Sequence, residues 1–455
     1  MKHCLHLFSS IAIFTFGATS LVAETFEVDG ISYEITSRND LTVEVAPSSY
    51  DFTGQSVQIP ASVTNSGVNY RVAGIGDNAF AECDGVREIS IPDGVTRIGQ
   101  KAFYNCNALQ RVNIPEGVDS IGQEAFMYCF MLDEIMVPSS VTSIGYWAFF
   151  NCGFNMDNVS VDSENGVYDS RNDCNAIIET ATNTLIFGCR SSVIPDDVVR
   201  IEDFAFSGAM MKSLTIPANV VSIGMSVFVN GYLERISVNI ENPVYDSRNE
   251  CNAIIETSTN TLVVGCDSTV IPESISNIGD GAFLGCDMAN VSIPLGVTSI
   301  GRYAFGSCHK LTRVSIAESV TRIDTSAFYD CRQLEEITIP ANVSFIGNDA
   351  FGRCAKLTAI CCEAVNPPVC DDNVFSTETL QKSTLYVPAE RLEAYRSADV
   401  WKEFQSIKAN TDYTSLPSIS SLDKSPSFYS LQGAKLATPQ RGKIMINAGK
   451  RLYFK

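Results

Sequence analysis

The chain has 455 residues, of which 45% are hydrophobic and 18% charged, so it can bury a large core and is not disordered throughout. Its formal net charge of −20 would repel a nucleic-acid backbone over most of the surface, which excludes nucleic-acid binding through phosphate contacts. A chain of this length forms either several ordinary domains or one elongated repeat array.

Residues 1–23 have the pattern of a secretory signal peptide. Lys2 and His3 precede an apolar run, and small residues then lead to Ala23. No later run reaches the ~18 apolar residues that a membrane-spanning helix needs. We therefore expect cleavage near Ala23 and a protein that is secreted or displayed at the outer surface.

Residues 24–59 alternate polar and apolar side chains in the manner of β-strands. We interpret them as an N-terminal β cap, because the end units of a repeat array expose packing surfaces that must be covered.

Residues 60–375 repeat a unit of 22 or 23 residues about ten times, with two longer units between. Each unit runs Leu-x-x-Val/Ile-x-Ile, usually Pro, and then Val-x-x-Ile-Gly-x-x-Ala-Phe-x-x-Cys. A unit this short cannot enclose a core, so the units must stack. We predict that Val/Ile-x-Ile forms a short parallel strand, which the Pro ends. The recurring Phe then fills the space between layers; its positions are Phe80, Phe103, Phe126, Phe149, Phe206, Phe228, Phe283, Phe305, Phe328 and Phe351.

Eight cysteines recur three residues after these Phe residues and should form a column through the stack. Parallel side chains hold neighbouring Cβ atoms further apart than the ~3.8 Å that a disulfide prefers. We therefore predict a ladder of reduced, buried thiols that act as small apolar side chains. Its members are Cys83, Cys106, Cys129, Cys152, Cys286, Cys308, Cys331 and Cys354.

Cys308 is followed by His309, the last of the three histidines in the chain. The pair raises the question of a Cys–His nucleophile or a metal site, since a nucleophile needs a base held by an orienting partner. The positions equivalent to His309 hold residues as different as Asp84, Phe130 and Arg332, which is typical of solvated surface. We interpret His309 as a variable surface residue and predict no catalytic residue, no metal and no cofactor.

Residues 161–195 and 238–272 are near copies of each other, and each adds a β-hairpin to the array. Cys174 and Cys189 lie near-opposite in the first hairpin, and Cys251 and Cys266 in the second. Because the sequence does not fix the register, both a disulfide and a pair of free thiols remain open in each hairpin. The polar run from Tyr168 to Asp173 lacks the spacing of a known calcium loop and is interpreted as a turn.

The end of the chain divides into three segments. Residues 376–408 form a C-terminal cap with a last strand and an amphipathic helix over 389–404, whose apolar face carries Leu392, Tyr395 and Trp401. Residues 409–425 are rich in Ser, Thr, Asp and Pro and are interpreted as a linker. Residues 426–455 form a basic C-terminal module.

The repeated IP-x-x-V-x-x-IG-x-x-AF-x-x-C-x-x-L-x-x-I motif resembles the BspA-like leucine-rich-repeat surface proteins of Bacteroidetes. The resemblance implies a leucine-rich-repeat solenoid, a β-rich α/β repeat with a parallel sheet on one face, two inserted hairpins and two caps. The family is associated with surface attachment. The tail from Tyr429 through Arg441 to Lys455 resembles the C-terminal sorting module of type IX secretion.

The middle residue of each predicted strand should point outward and form a candidate binding face. Small hydroxyl side chains flanked by charges suit a broad polar partner, such as a host extracellular-matrix protein, a glycan or another cell surface. Trp147 is added as an aromatic anchor. The candidate residues are Arg87, Ser90, Arg111, Asn113, Met136, Trp147, Thr215, Arg235, Ser237, Ser292, Arg313, Ser315 and Thr338.

We therefore predict a non-enzymatic, adhesin-like binding protein that is monomeric until it meets its partner. A self-assembling structural surface-layer protein is the alternative, and it would self-associate. A glycan-active enzyme is a weaker third reading, because nothing in the sequence places two carboxylates in a sheltered cleft.

Overall fold

The computed structural model describes residues 24–50, 52 and 54–412, and four short strands within 428–453. The predicted signal peptide and most of the predicted linker and basic module lie outside the described residues. The array is a β-solenoid in which successive units pair in parallel, which confirms the predicted fold class.

The predicted Val/Ile-x-Ile strands form one side of the solenoid. They pair in parallel from unit to unit, in short sheets that are interrupted along the array. The strands are Ser56–Gln58, Glu88–Ser90, Arg111–Val112, Glu134–Val137, Asn158–Val161, Met210–Ile216, Tyr232–Val238, Asn290–Ile293, Arg313–Ile316, Glu336–Ile339, Ala359–Cys362, Thr384–Val387 and Ser406–Ala409. We call the outward side of these strands the strand face.

A second layer of parallel strands, which the sequence did not predict, forms three sheets along the array. Most of its strands are two residues long and end at the Ile of an Ile-Gly step; Ile201 and Ile323 precede Glu202 and Asp324 instead, and the last strand ends at Cys370. At the N-terminal end the first of these sheets also contains the strands Thr25–Val28, Ile31–Ser37 and Thr42–Val45 of the predicted cap, and Ser62–Asn65 and Val68–Ile75 at the start of the array. The repeat strands are Arg97–Ile98, Ser120–Ile121, Ser143–Ile144, Arg200–Ile201, Ser222–Ile223, Asn277–Ile278, Ser299–Ile300, Arg322–Ile323, Phe345–Ile346 and Val369–Cys370. Each unit therefore contributes one strand to the first side of the solenoid and one to this second layer.

The segment from each Ile-Gly step to the Cys, which we call the arm, connects these two sets of parallel strands on the other side of the core. Phe103 N–H donates to the carbonyl of Ala125 at 2.7 Å, and Phe126 N–H donates to that of Ala148 at 2.8 Å. The rings of Phe103 and Phe126 stack with centroids 5.0 Å apart and planes 12° from parallel. Both rings are fully buried, so the predicted role of Phe between layers is confirmed.

The glycine of the arm is required by close approach of successive turns. A Cβ built on Gly122 would lie 2.5 Å from the backbone nitrogen of Gln100, and one built on Gly145 would lie 2.3 Å from that of Gln123. Real Cβ atoms do not approach backbone this closely, which explains the Ile-Gly step of the repeat.

The cysteine ladder also has a hydrogen-bonding role that the sequence did not reveal. The Cys129 thiol donates to the carbonyl of Phe103 at 3.1 Å, and the Cys331 thiol donates to that of Phe305 at 3.1 Å. All eight ladder cysteines are free, and all except the partly exposed Cys286 are buried. A cysteine fills a small space here and gives a buried carbonyl a thiol donor. The carbonyl of Phe103 also accepts from the N–H of Cys106 at 3.3 Å.

The two insertions form the predicted antiparallel hairpins, Ala176–Glu179 with Thr184–Gly188 and Ala253–Glu256 with Thr261–Gly265. A two-residue strand precedes each hairpin, Tyr168–Asp169 and Tyr245–Asp246, followed by a single 3-10 turn, Arg171–Asp173 and Arg248–Glu250. Each hairpin separates two of the three buried clusters found in the described residues, because its two faces pack into different clusters.

Neither hairpin disulfide forms in the structure, where all four cysteines are free thiols. Ala176 is opposite Gly188, so Cys174 and Cys189 are offset by one residue and point to opposite faces of the hairpin. Cys189 packs into the N-terminal cluster and Cys174 into the central one. Cys251 and Cys266 are separated in the same way.

The C-terminal cap contains two short helices, Thr377–Lys382 and Leu392–Ser397. The predicted continuous helix over 389–404 is wrong, because it is broken into the 3-10 turn Ala389–Arg391, the second of these helices and the 3-10 turn Trp401–Glu403. Val400, with a φ of 66°, interrupts it. Tyr395 and Trp401 are nevertheless fully buried, as an apolar cap face requires.

Two short elements complete the described backbone. Asn410–Asp412 is a 3-10 turn after the last strand of the cap. Within the C-terminal segment, the strands Phe428–Tyr429, Lys435–Leu436, Ile444–Asn447 and Lys450–Tyr453 form one antiparallel sheet.

We predict that Phe126→Ala lowers the free energy of unfolding by about 3–5 kcal/mol, because it removes a ring stacked between two others and leaves a cavity. Urea unfolding followed by circular dichroism measures the change. Phe130→Ala, at a partly exposed position, is the matched control and should cost much less. Equal losses in the two variants would contradict the role of the stacked rings.

Stability should also fall above pH 9 because of the buried ladder thiols. Burial raises the pKa of Cys354 from its ordinary 9.0 to about 12, so between these values the unfolded chain loses a proton that the folded chain keeps. The folding stability that this pKa shift contributes is fully present below pH 9, and it falls by about 1.4 kcal/mol per pH unit as pH rises toward 12. Cys354→Ala should therefore show a shallower decline in urea unfolding. Parallel pH profiles for the two proteins would refute this.

Candidate functional site

The strand face carries most of the residues predicted to bind a partner. Ser90, Asn113, Met136, Thr215, Ser292 and Ser315 are exposed, and Ser237 and Thr338 are partly exposed. Arg87, Arg111 and Arg235 are exposed at the same side, and Arg313 is partly exposed. The repeat pattern therefore identified outward positions correctly, although exposure alone does not make them contacts.

The N-terminal part of the strand face forms a shallow groove of about 470 Å³. Four successive strands line it, with a hydroxyl, a carboxamide and a thioether at adjacent outward positions: Ser90, Asn113 and Met136. Arg111 lies between Glu88 and Glu134 along its floor. Met136 is 56% exposed.

Some predicted contacts on this face already have structural partners. The Asn113 carboxamide accepts from the backbone N–H of Ile91 and donates to the carbonyl of Ile91, both at 2.8 Å. The hydroxyls of Thr215 and Ser237 are 2.9 Å apart and share a hydrogen bond. Asn113 thus extends the hydrogen bonding between units where the strand itself ends at Val112.

Trp147 does not lie with the other candidates. It belongs to the arm that ends at Cys152 and lines a cleft of about 610 Å³ between the first insertion and the arms on either side of it. Its ring lies 4.7 Å from that of Tyr146 and 5.6 Å from that of Phe204, measured between centroids. The sequence placed Trp147 correctly in the repeat, but it could not show that residues from four separate segments meet here.

Charged and hydroxyl groups complete the lining of this feature, which we call the aromatic cleft. Glu179, Arg200, Glu202 and Asp203 contribute to its wall together with Thr182, Thr184 and Ser222. Arg200 pairs with Glu202 at 3.2 Å. Burial, together with the charges of Asp203 and Glu202, raises the pKa of Tyr146 above its ordinary value, so its phenol stays neutral.

Cys308 and His309 do not form a pair. The Cys308 thiol is buried and donates to the carbonyl of Phe283 at 3.2 Å, and burial raises its pKa well above the ordinary value. His309 points outward, and its Nε2 lies 3.0 Å from Asp330. Although partial burial opposes ionisation of Asp330, Arg332 and His309 hold its pKa below the ordinary value.

No group of three or more His, Cys, Asp or Glu side chains suited to a metal ion occurs in the part of the chain that the structure describes. Within the same residues, every helix is too short or too polar to cross a membrane.

The family model for the BspA type leucine rich repeat region matches residues 55–172, 187–260 and 254–381, which is more than half of the chain. Two solved structures to which this chain is similar are a leucine rich cell surface protein from Faecalibacterium prausnitzii and a leucine-rich repeat protein from Bacteroides ovatus. The first is 26% identical, with a TM-score of 0.48, over 88% of this chain and 97% of the other. The second is 25% identical, with a TM-score of 0.37, over 84% and 99%.

The pneumococcal vaccine antigen PcpA is also similar, at 18% identity and a TM-score of 0.47, over 85% of this chain and 99% of the other. No curated protein matches the chain in sequence.

We predict that Asn113→Ala lowers the free energy of unfolding by about 1–2 kcal/mol, because two hydrogen bonds to Ile91 are lost. Ser90→Ala, on the neighbouring strand, should be nearly neutral. Thermal unfolding of both variants measures the difference. A neutral Asn113→Ala would show that its carboxamide is not part of the framework and restore it as a candidate contact.

Proposed function

The chain belongs to the family of BspA-type leucine-rich-repeat proteins, and from this premise we propose that it is a secreted or surface-displayed, non-enzymatic binding protein. Its partner is a host extracellular-matrix protein, a glycan or another cell surface, bound by the strand face. The pattern of residues 1–23 and the family support the location.

The observation that carries this proposal is the groove of the strand face. It is broad and shallow, its lining mixes polar side chains with apolar surface, and the exposed Met136 belongs to it. Interfaces of protein partners combine a small apolar centre with a polar surround, whereas small-molecule sites are deeper and more apolar. Arg111 between two glutamates adds charges of both signs for orienting a partner.

The test is a binding screen of the chain against immobilised host matrix proteins and glycans, followed by variants of the exposed methionines. We expect Met136→Asp to weaken binding by about tenfold or more, because it places an unpaired charge at the centre of the contact. Met225→Asp is the matched control, since Met225 is 52% exposed but lies on an arm away from the strand face. It should leave binding unchanged.

Equal effects of the two methionine variants would remove the strand face from the proposal. The absence of binding to every surface, combined with concentration-dependent self-association in light scattering, would favour the structural-layer function instead.

A further inference from the structure

The aromatic cleft combines aromatic walls with surplus negative charge. Tyr146, Trp147, Phe150 and Phe204 line it, and the Tyr146 side chain is 49% exposed at its mouth. Aromatic faces attract cations within about 6 Å of the ring centroid, and Trp does so most strongly. A ring cluster at an opening of this size is therefore suited to a cationic group.

The charged side chains in the wall of the aromatic cleft also favour a cation. Three carboxylates, those of Glu179, Glu202 and Asp203, face one cation, Arg200, which is paired with Glu202. All three carboxylates are partly buried, where screening by solvent is weaker than at a fully exposed surface. The excess acid would repel an anionic ligand and attract a basic one, as does the net charge of −20.

The second insertion is an internal comparison, because it repeats the hairpin scaffold with different residues on the flanking arms. Glu256, Thr259 and Thr261 match Glu179, Thr182 and Thr184.

The cleft-forming residues are the ones that differ between the insertions. Met225 and Ser226 replace Tyr146 and Trp147, Asn277 replaces Arg200, and Gly279 and Gly281 replace Glu202 and Phe204. The hairpin alone therefore does not supply the aromatic and acidic lining. The arms that flank the first insertion supply it.

Backbone conformation makes two of these aromatic residues costly. The second residue after the arm glycine has a left-handed backbone, and Trp147 and Phe204 occupy it with φ of 59° and 60°. Ser226 and Gly281 hold the same positions beside the second insertion, where small or polar residues suit the conformation. The other arms are left-handed at this position too, and Tyr303 carries a ring there with a φ of 52°, so the conformation alone does not mark the cleft. Two such rings on successive arms distinguish it.

We propose that the aromatic cleft binds a basic side chain, lysine or arginine, presented by a protein partner. The cation lies against the Trp147 and Tyr146 rings, and its N–H groups donate to Glu179, Glu202 and Asp203. This inference rests on the proposed binding function but uses a different surface from the strand face, so the two can fail separately.

The test uses ¹⁹F NMR of the full chain labelled with 5-fluorotryptophan. The chain has two tryptophans, Trp147 in the cleft and Trp401 in the buried C-terminal cap, and Trp147→Phe assigns their resonances. The probes are acetyl-Gly-Lys-Gly-amide and acetyl-Gly-Arg-Gly-amide. We expect either or both to shift the Trp147 resonance saturably and to leave that of Trp401 unchanged.

Glu179→Gln combined with Glu202→Gln should weaken binding of these peptides by about tenfold or more, since it removes two charges near the cation. Glu256→Gln combined with Glu241→Gln removes the same charge at the second insertion and should leave the affinity unchanged. The Trp401 resonance reports whether each variant remains folded. Where a double variant does not fold, the two corresponding single variants are tested instead.

The proposal is overturned by any of three results: no Trp147 shift at millimolar peptide, an equal shift with acetyl-Gly-Gln-Gly-amide, or equal affinities for the two double variants. A Trp147 shift with the neutral disaccharide lactose, and none with the basic peptides, would assign the cleft to glycans instead. If the basic peptides cause no shift of the Trp147 resonance while binding to a matrix protein or glycan still depends on Met136, this inference is refuted and the proposed function stands.

Discussion

Stacking of one buried Phe on the next is the interaction on which this solenoid depends. A unit of 22 or 23 residues buries little by itself, so each layer is stable only against its neighbours. The rings of Phe328 and Phe351 lie 5.5 Å apart and 2° from parallel, and backbone hydrogen bonds between the same arms fix that spacing. This close spacing favours the arm glycine and the small ladder cysteine, although Glu202 and Asp324 occupy the glycine position in two arms.

The two insertions show what happens when that stacking is interrupted. Each hairpin stands between two buried clusters and contributes one face to each, so the array continues through it. In both places a tyrosine restores a hydrogen bond to the interrupted backbone pairing. The hydroxyl of Tyr168 accepts from the N–H of Ile144, and that of Tyr245 accepts from the N–H of Ile223, both at 3.1 Å. Beside the first hairpin the flanking arms carry further aromatic residues, Tyr146, Trp147 and Phe204, in addition to the stacked Phe, and there they line a cleft.

The sequence predicted the features that depend on periodicity. The outward strand positions, the buried Phe residues and the thiol ladder all follow from residue types that recur at fixed spacing, since equivalent positions in a stack share an environment. The second layer of strands was missed because strands such as Arg97–Ile98 are two residues long, too short to show alternation. The offset between Cys174 and Cys189 depends on register, and the aromatic cleft joins segments that are distant in the chain. Neither leaves a local pattern.

Hydrogen–deuterium exchange, followed by mass spectrometry of peptides, tests the central claim most directly. If the stacked arms hold the layers together, peptides covering 99–106, 122–129 and 301–308 should exchange slowest and only with unfolding of several units at once. Peptides covering the hairpin turns at 180–183 and 257–260 should exchange much faster. Arm peptides that exchange as fast as these turns, while the strand-face strands remain protected, would contradict the account.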